Sequence, residues 1–338
     1  MIRRILLALL LLAGFAAAAE TVRLTEGDLE LELDPRAAGR VTSFRLRGGE
    51  NVLYSIEADK LSSPLPALVY DNDNFLRLYG HVMWLGPQAD WWRQQETDRT
   101  AKAKAYVWPP DPYWEFARFA VVSRTGNAIV LKSPHSPFSG VTMTKEVRLL
   151  PGGEAVLTTT IENTGSKPVK WGLWSNTRIP GNAVVFALPQ SKKELRFEFS
   201  TWESPQERPL AFDAGDGFVR FPGSEPQSVP KEGKLTGKLF VLPRKPVIAA
   251  FIGTTLFLKK TKALPPGKIA PGHCQVELFG EKSSDPALSF YELEFHGEYA
   301  ELAPGQSLSL EETWLLHPAS LTDDAQALRE LELIADQP

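Results

Sequence analysis

The feature that most constrains this chain is a succession of short β-strand patterns that starts near residue 20. Segments such as AVLTTTIEN, CQVELFG and LSLEETWLL are rich in Val, Thr and aromatic residues, and turn-forming Pro, Gly and Asn residues separate them. Runs of this length and spacing are typical of an all-β sandwich or barrel. Strands do not alternate with helices, so a parallel α/β sheet is not expected.

One helix is expected near the end of the chain. The segment LTDDAQALRELELIADQP offers Thr322 as an N-cap, acidic residues in the first turn, and an apolar stripe that includes Ala327 and Leu331. We expect this helix, within residues 319–338, to pack on the outside of a β-domain formed by residues 20–318.

The first 19 residues have the pattern of a secretory signal peptide. Arg3 and Arg4 precede an apolar run, and three alanines ending at Ala19 precede Glu20. The apolar run is too short and too close to the cleavage pattern for a good membrane anchor. We therefore expect cleavage after Ala19, a periplasmic or secreted protein, and no stable membrane insertion.

Composition excludes several classes of protein. The net charge of −4 and the lack of a basic stripe argue against nucleic-acid binding. Cys274 is the only cysteine, so an intramolecular disulfide is impossible. Sequence motifs for nucleotides, dinucleotides, zinc proteases and serine hydrolases are absent from the chain. We expect no cofactor and no metal, and the oligomeric state stays open.

Five of the nine tryptophans fall within one short region, at positions 84, 91, 92, 108 and 114. Part of this region reads GHVMWLGPQADWWRQQ, and the VWPPDPYW segment that follows contains too many prolines for a central strand. Proline-stiffened loops that present aromatic rings often form binding surfaces. The rings are either core or a platform for a ligand, and the residues alone leave both interpretations open.

A second candidate lies in VKWGLWSNTRI. Because side chains alternate along a strand, Trp174, Asn176 and Arg178 share one face. An indole beside an amide and a guanidinium suits a sugar, whose C–H groups stack on rings and whose hydroxyls accept or donate hydrogen bonds. The alternative is a core tryptophan with Arg178 in a surface ion pair.

A third candidate lies in FYELEFHGE, where Glu292, Glu294 and His296 share one face. Two carboxyls and an imidazole can perform general acid–base chemistry, although a solvent-facing polar strand edge gives the same pattern. His81 is a further candidate acid or base. Alternation places His81 and Trp84 on opposite faces of their strand, so both cannot face one groove unless a bulge intervenes.

Several segments together carry a family resemblance. The segments YGHVMWLGPQ, VWPPDPYW, GVTMTKEVRLLPGGEAVLTTTIENTGSKPVKWGLWSNT and SFYELEFHGEYAELAPGQSLSLEETWLL occur in this order. Over residues 40–318 the chain resembles an uncharacterised bacterial family, a domain of unknown function with the galactose-mutarotase-like fold. The resemblance implies a supersandwich of large antiparallel sheets, one of whose concave faces holds a sugar.

The resemblance to aldose epimerases in the wider superfamily also implies roles for residues. Their catalytic His lies on a strand similar to WGLWSNT, where Trp174 stands here, and their catalytic Glu lies on a strand similar to FYELEF, which contains Glu292 and Glu294. A tryptophan in the His position favours stacking over proton transfer. An enzyme would therefore need His81 or His296 as its acid.

Three hypotheses follow for function. The first is an exported carbohydrate-binding protein with a Trp-rich groove. The second is a carbohydrate-active enzyme, epimerase or lyase-like, with Glu294 as base. The third is a non-catalytic structural envelope protein whose tryptophans are core. For the first hypothesis the expected substrate-binding residues are Trp84, Gln88, Trp108, Asp111, Trp174, Asn176 and Arg178.

Overall fold

The computed structural model describes residues 21–56, 64–73, 75–199, 206–215 and 217–335. The predicted signal peptide lies outside the described residues, so cleavage and export stay predictions. None of the helices in these ranges is long and apolar enough to cross a membrane.

The described chain forms twenty strands and three α-helices. The strands are β1 (Val22–Glu26), β2 (Leu29–Asp34), β3 (Arg40–Leu46), β4 (His81–Gly86), β5 (Ala120–Arg124), β6 (Ala128–Lys132), β7 (Val141–Leu150), β8 (Glu154–Asn163), β9 (Val169–Pro180), β10 (Val184–Pro189), β11 (Arg196–Glu198), β12 (Arg208–Pro209), β13 (Asp213–Ala214), β14 (Val219–Phe221), β15 (Lys234–Val241), β16 (Pro243–Ile252), β17 (Thr255–Thr261), β18 (Val276–Ser283), β19 (Phe290–Leu302) and β20 (Ser307–Pro318). The helices are α1 (Arg99–Lys104), α2 (Tyr113–Phe116) and α3 (Asp324–Ala335).

The strands form two ten-stranded sheets. Sheet one has the order β1-β2-β3-β4-β9-β19-β18-β15-β11, with the short β12 beside β15, and sheet two has the order β13-β14-β10-β16-β17-β20-β8-β7-β6-β5. All pairs are antiparallel except β12 with β15. The expectation of an all-β protein built from large antiparallel sheets is confirmed.

The core between the sheets comes from strict alternation of apolar side chains. On β8, Ala155, Leu157 and Ile161 are buried, whereas Thr158 and Thr160 point the other way and are partly exposed. Full burial of a leucine or isoleucine contributes about 1.5–3 kcal/mol relative to leaving it exposed. The long strands therefore stabilise the sandwich through many such residues on their inner faces.

Helix α3 covers the outer face of sheet two. Its Ala327 and Leu331 pack against Phe186 and Leu258, which point away from sheet one. The predicted helix is therefore present, but Thr322 is not its N-cap. The side chain of Asp323 accepts the backbone N–H of Gln326 at 2.7 Å instead, since a carboxylate is as good a cap as a hydroxyl.

The Trp-rich region between β4 and β5 contains two short helices that the sequence analysis did not anticipate. Asp98 caps α1 by accepting the backbone N–H groups of Thr100 and Ala101 at 2.9 Å. Helix α2 begins directly after Pro112. Proline is tolerated at the start of a helix because the backbone N–H that it lacks would have no partner within the helix there. These helices hold the segment against sheet one.

Strand β19 contains a bulge beside its most polar stretch. His296 pairs with Trp174 and Tyr299 pairs with Gly172, so three residue steps on β19 span two steps on β9. One extra residue in one strand bends it and shifts the alternation of its side chains. Tyr299 thus returns to the face of His296, where its ring lies 4.8 Å from the ammonium of Lys170.

Candidate functional site

A groove of about 1250 Å³ lies on the face of sheet one that points away from sheet two. Its floor comes from five consecutive strands, β4, β9, β19, β18 and β15, and its walls come mainly from the connecting segments. The lining residues include Phe75, Tyr79, Trp84, Gln88, Val107, Trp108, Glu115, Trp174, Arg178, Phe197, Glu207, Lys238, Phe240, His273, Phe279, Glu281, Phe290, Glu292 and Glu294.

Three rows of directly opposed residues cross the groove floor. Opposed residues on antiparallel strands place their Cβ atoms about 4.5–5.5 Å apart, so each row is in contact. The rows are Trp84, Trp174 and His296; Asn176, Glu294 and Glu277; and Arg178, Glu292 and Phe279. Both predicted faces, on β9 and on β19, therefore meet on one side of the sheet.

Lys238 of β15 is the cation at the centre of this floor. Its Nζ lies 2.7 Å from Glu277 Oε2 and 2.7 Å from Glu294 Oε2. The same ammonium lies 4.7 Å from the ring centroid of Trp174. Burial acts against a charge here, but the two carboxylates outweigh it and raise the pKa of Lys238.

The adjacent carboxyls of Glu292 and Glu294 have different environments. Burial raises the pKa of Glu294 well above its usual value, and the charges of Glu292 and Glu277 add to this rise. Burial would also raise the pKa of Glu292, but the Nε of Arg178 lies 2.7 Å from its Oε1 and the net shift is downward. The two carboxyls therefore release their protons in separate steps.

Two imidazoles converge on Glu277 at one end of the floor. His273 Nδ1 lies 3.0 Å from Glu277 Oε1, and His296 Nε2 lies 3.3 Å from Glu277 Oε2. The centroids of the two imidazole rings are 4.4 Å apart. Burial lowers the pKa of His296 to about 4, so its imidazole is neutral at pH 7.

The tryptophans contribute to the groove unequally. Trp84 and Trp174 are only 4% and 3% exposed, so they form the floor mainly through packing. Trp84 donates its indole N–H to Glu115 Oε1 at 2.5 Å, which satisfies its polar atom. Trp108 is partly buried in the wall and lies edge-on to Phe75. Trp108 therefore offers more accessible ring than either floor tryptophan.

Trp91 and Trp92 stand behind the groove. Trp91 stacks on Trp174 with ring centroids 5.9 Å apart, and its N–H donates to Leu85 O. Trp92 turns away and donates to Pro109 O at 2.7 Å. Within the described ranges neither ring is part of the groove lining.

The structure brings most of the predicted site residues together. Asn176 lies under the floor, and its Nδ2 donates to Glu294 Oε1 at 3.4 Å. Arg178 places its guanidinium 5.1 Å from the ring of Trp84. Those that line the groove directly are Trp84, Gln88, Trp108, Trp174, Arg178, Glu292 and Glu294.

His81 does not reach the groove, which corrects its assignment as a candidate acid. It lies between the sheets, where its Nδ1 is 2.9 Å from Thr177 Oγ1 and its ring meets the face of Trp314 edge-on. Burial lowers its pKa well below the usual value, and nearby Lys259 adds to this effect. The alternation between His81 and Trp84 decides the placement, since Trp84 takes the groove side.

Asp111 is likewise removed from the groove, which corrects its assignment as a binding residue. Its Oδ2 accepts the hydroxyl of Ser136 at 2.5 Å, and its Oδ1 accepts the backbone N–H of Tyr113 at 2.9 Å. Burial raises the pKa of Asp111 to about 6. Its carboxyl anchors the proline-rich segment rather than facing a ligand.

The sequence analysis did not find Lys238, Glu277 or His273. Lys238 lies on β15, a strand of eight residues next to the edge strand β11, and the sequence analysis identified no polar face there. Glu277 is an acidic residue between two apolar ones, Val276 and Leu278, in a strand that also contains Glu281. Such an inward-facing charge is the signal that could have identified it, because buried charges are rare unless they are paired.

The comparisons with known proteins agree with this fold. A family model described as "Domain of unknown function (DUF4380)" matches residues 19–317. No curated protein matches the sequence.

Solved structures with the same fold come from several bacteria. A galactose mutarotase-like protein from Lactobacillus casei is 13% identical, with a TM-score of 0.53, and the match covers 88% of this chain and 100% of that chain. A putative aldose 1-epimerase from Escherichia coli K12 is 15% identical, with a TM-score of 0.51 and coverage of 88% and 99%. A galactose mutarotase related enzyme from Lactobacillus acidophilus is 9% identical, with a TM-score of 0.52 and coverage of 89% and 98%. At these identities the likeness shows the fold alone, and it confirms the galactose-mutarotase-like sandwich.

Proposed function

The chain belongs to the family described as domain of unknown function DUF4380, and from this premise we propose that it is an exported carbohydrate-binding protein. The observation that carries the proposal is the groove on sheet one, where aromatic rings and hydrogen-bonding side chains face the same space. Sugars require both, since their C–H faces stack on rings and their hydroxyls need polar partners.

Different residues of the groove would provide the stacking contacts and the polar contacts to a sugar. Trp108 in the wall supplies an accessible ring, and Arg178 and Glu292 supply a charged pair beside it. The volume of about 1250 Å³ exceeds the roughly 300–1,000 Å³ typical of small-molecule sites, so an oligosaccharide is the better fit. The fold adds support, because solved structures that share it include a galactose mutarotase-like protein and a putative aldose 1-epimerase.

Calorimetry and tryptophan fluorescence with a panel of mono- and oligosaccharides test this proposal. We expect at least one ligand to bind, and Trp108→Ala to weaken its binding at least tenfold, because stacked rings at binding sites contribute about 1–2 kcal/mol or more. Tyr299→Ala removes a partly buried ring outside the groove lining and is the matched control. Absence of any binder at millimolar concentration, or equal binding by wild type and Trp108→Ala, would contradict the proposal.

A stability measurement separates this role from a purely structural one. Trp174→Ala is expected to lose about 3–5 kcal/mol of stability, as buried tryptophans do when truncated. Trp108→Ala is expected to lose less than half of that, because its ring is partly exposed. Equal large losses in both variants would favour the interpretation that the tryptophans are only core.

Export is the second part of the proposal. It is supported by the charged and apolar segments that precede Ala19 in the sequence. Mass spectrometry of the protein from a periplasmic fraction or culture medium is expected to find Glu20 at the N-terminus. A mature protein that retains residues 1–19 would contradict it.

The geometry of Glu292 and Glu294 favours a second candidate, an enzyme that acts on a carbohydrate. The two carboxyl groups lie on the groove floor, with Glu294 as the base and Lys238, rather than His81 or the neutral imidazole of His296, as the source of a proton. If this holds, wild type accelerates anomer interconversion in NMR exchange measurements, and Glu294→Gln lowers the rate about 100-fold or more. Glu298→Gln, on the same strand but paired with Lys268, is the control. Equal rates for wild type and Glu294→Gln would remove this candidate.

A further inference from the structure

We propose that His273, Glu277 and His296 form a binding site for a divalent transition-metal ion such as Zn²⁺ at one end of the groove floor. Two imidazole nitrogens and one carboxylate oxygen are a ligand set that zinc and its first-row neighbours favour. Metal binding is measured without any sugar, so this inference and the proposed carbohydrate binding can fail separately.

The distances fit one ion. The ligand atoms of the three residues all lie within 4.8 Å of one another. His273 Nδ1 is 3.0 Å from Glu277 Oε1, and His296 Nε2 is 3.3 Å from Glu277 Oε2. Ligands about 2.1 Å from a tetrahedral ion are separated by ~3.4 Å, so small side-chain rotations close the set.

The orientation of His296 points to a missing partner. Its side chain is buried, and within the described part of the chain its Nε2 makes no well-aligned hydrogen bond, although Glu277 Oε2 lies 3.3 Å away. A buried imidazole nitrogen that lacks a well-aligned hydrogen bond is unfavourable, and a metal ion shared with Glu277 would satisfy it. The ring is held in place by stacking on Trp174, with centroids 5.2 Å apart and planes at 27°.

The surroundings support the carboxylate and provide a route for the ion. The backbone N–H of Cys274 donates to Glu277 Oε1 at 2.9 Å, a contact that fixes the carboxylate as outer-shell partners do in metal sites. His273 is partly exposed and lines the groove, so an ion can enter from solvent. Three protein ligands leave a fourth position open toward the groove, which is the arrangement of catalytic rather than structural zinc sites.

Lys238 is the internal competitor for this site. Its Nζ lies 2.7 Å from Glu277 Oε2, so its positive charge opposes a metal ion at the same oxygen. Removal of this charge should increase the affinity for metal. The prediction is specific to an ion held at Glu277, because a site elsewhere on the surface would not respond to Lys238.

The test is a calorimetric titration of untagged, chelator-treated protein with ZnCl₂, followed by Co²⁺ as a spectroscopic probe. We expect one ion per chain, visible d–d absorption for Co²⁺, at least 100-fold weaker binding in His296→Ala and Glu277→Gln, and at least tenfold tighter binding in Lys238→Met. His135→Ala changes an exposed imidazole near Thr164 and should bind like wild type. Circular dichroism of each variant reports its folding, and His273→Ala, at the partly exposed turn, provides the test if His296→Ala does not fold.

Three results would overturn the assignment. They are no binding of Zn²⁺ or Co²⁺ at millimolar concentration, wild-type affinity in the folded His273→Ala or Glu277→Gln variants, and unchanged affinity in Lys238→Met.

Discussion

Lys259 and Lys238 lie on opposite sides of sheet one, and they differ in exposure and in the hydrogen bonding of the polar atoms around them. Lys259 lies between the sheets and is 0% exposed, whereas Lys238 lies on the groove floor and its side chain is 19% exposed. Each ammonium contacts carboxylates, hydroxyls or rings at close range. The difference lies in how completely the neighbouring polar atoms are satisfied.

The inner lysine belongs to a nearly closed network. Its Nζ lies 2.7 Å from Thr177 Oγ1, 3.2 Å from Leu293 O and 3.2 Å from Glu312 Oε2. Burial lowers its pKa despite the opposing effect of Glu312. An ammonium has three donors, and here each has an acceptor. Such a network fixes how the two sheets pack.

The polar atoms around the groove-side lysine, Lys238, are less completely hydrogen-bonded. Lys238 is shared by two carboxylates, and four buried polar atoms near it make no well-aligned hydrogen bond among the described residues. They are Trp174 Nε1, Asn176 Oδ1, Glu277 Oε2 and His296 Nε2, of which Glu277 Oε2 lies within ion-pair distance of Lys238. In the inner network the only such atom of the described chain is Glu312 Oε1. Unsatisfied polar atoms are unfavourable for folding, so their concentration on the groove floor marks the place where a ligand would compensate.

The largest expected effect comes from removing the positive charge of each lysine in turn. Lys259→Met leaves Glu312 buried and without its cation, and we expect a loss of about 3–5 kcal/mol in the free energy of unfolding. Lys238→Met is expected to lose less, about 1–2 kcal/mol, because Glu277 keeps the backbone N–H of Cys274 as a partner and Glu294, whose pKa is raised, can take up a proton. Urea denaturation measures both. Equal losses would mean that the groove floor is as structural as the inner network.

A double variant sharpens the comparison. Adding Glu312→Gln to Lys259→Met removes the uncompensated charge, and we expect it to restore about 2 kcal/mol of the loss. The same urea series provides the measurement, with Glu311→Gln on the exposed side of β20 as the control. If the double variant is no more stable than Lys259→Met, the buried charge of Glu312 is not the cause of the loss.

The smallest expected effect concerns a third buried lysine, which contacts no carboxylate among the described residues. Lys145 donates to Ala38 O at 2.8 Å, and burial, with a further contribution from Arg40, lowers its pKa to about 7. Because the unfolded chain keeps a pKa near 10.4, it binds more protons than the folded protein between about pH 7 and 10. Stability should therefore rise with pH in this window.

We expect the free energy of unfolding to increase by about 1–2 kcal/mol from pH 7 to pH 9 in wild type relative to Lys145→Met. Lys170→Met alters an exposed lysine and should follow wild type. Parallel curves for wild type and Lys145→Met would show that Lys145 does not titrate in this range.

The sequence predicted the strands and the faces of β9 and β19 because alternation is a local property. It also placed His81 and Trp84 on opposite faces, although it could not tell which face was the groove. That choice depends on packing against Trp314, which lies more than two hundred residues away in the chain. Local patterns carry no information on such pairings.

The centre of the site was hidden for the same reason. Lys238 and Glu277 come together only when β15, β18 and β19 pair. A charged residue in a short strand does not by itself show which residue it will contact. The tryptophans gave a stronger signal, but the sequence could not show that Trp174 is packed on Trp91 and His296 while Trp108 keeps part of its ring accessible.

The extra residue in β19 has a consequence for insertions and deletions. Glu292, Glu294 and His296 lie on the outer face of sheet one at even positions, and beyond the bulge Tyr299 lies on the same face, outside the groove, at an odd position. Deletion of Gly297 would make the strand regular without turning either half over, because His296 and Tyr299 would then be two positions apart and still share a face. Deletion of one residue between Glu292 and His296, where the strand is regular, would turn one half over and exchange apolar for polar side chains there. Relatives that lose the extra residue at the bulge can therefore keep Glu292, Glu294 and His296 on one face, whereas a change of one residue between Glu292 and His296 cannot.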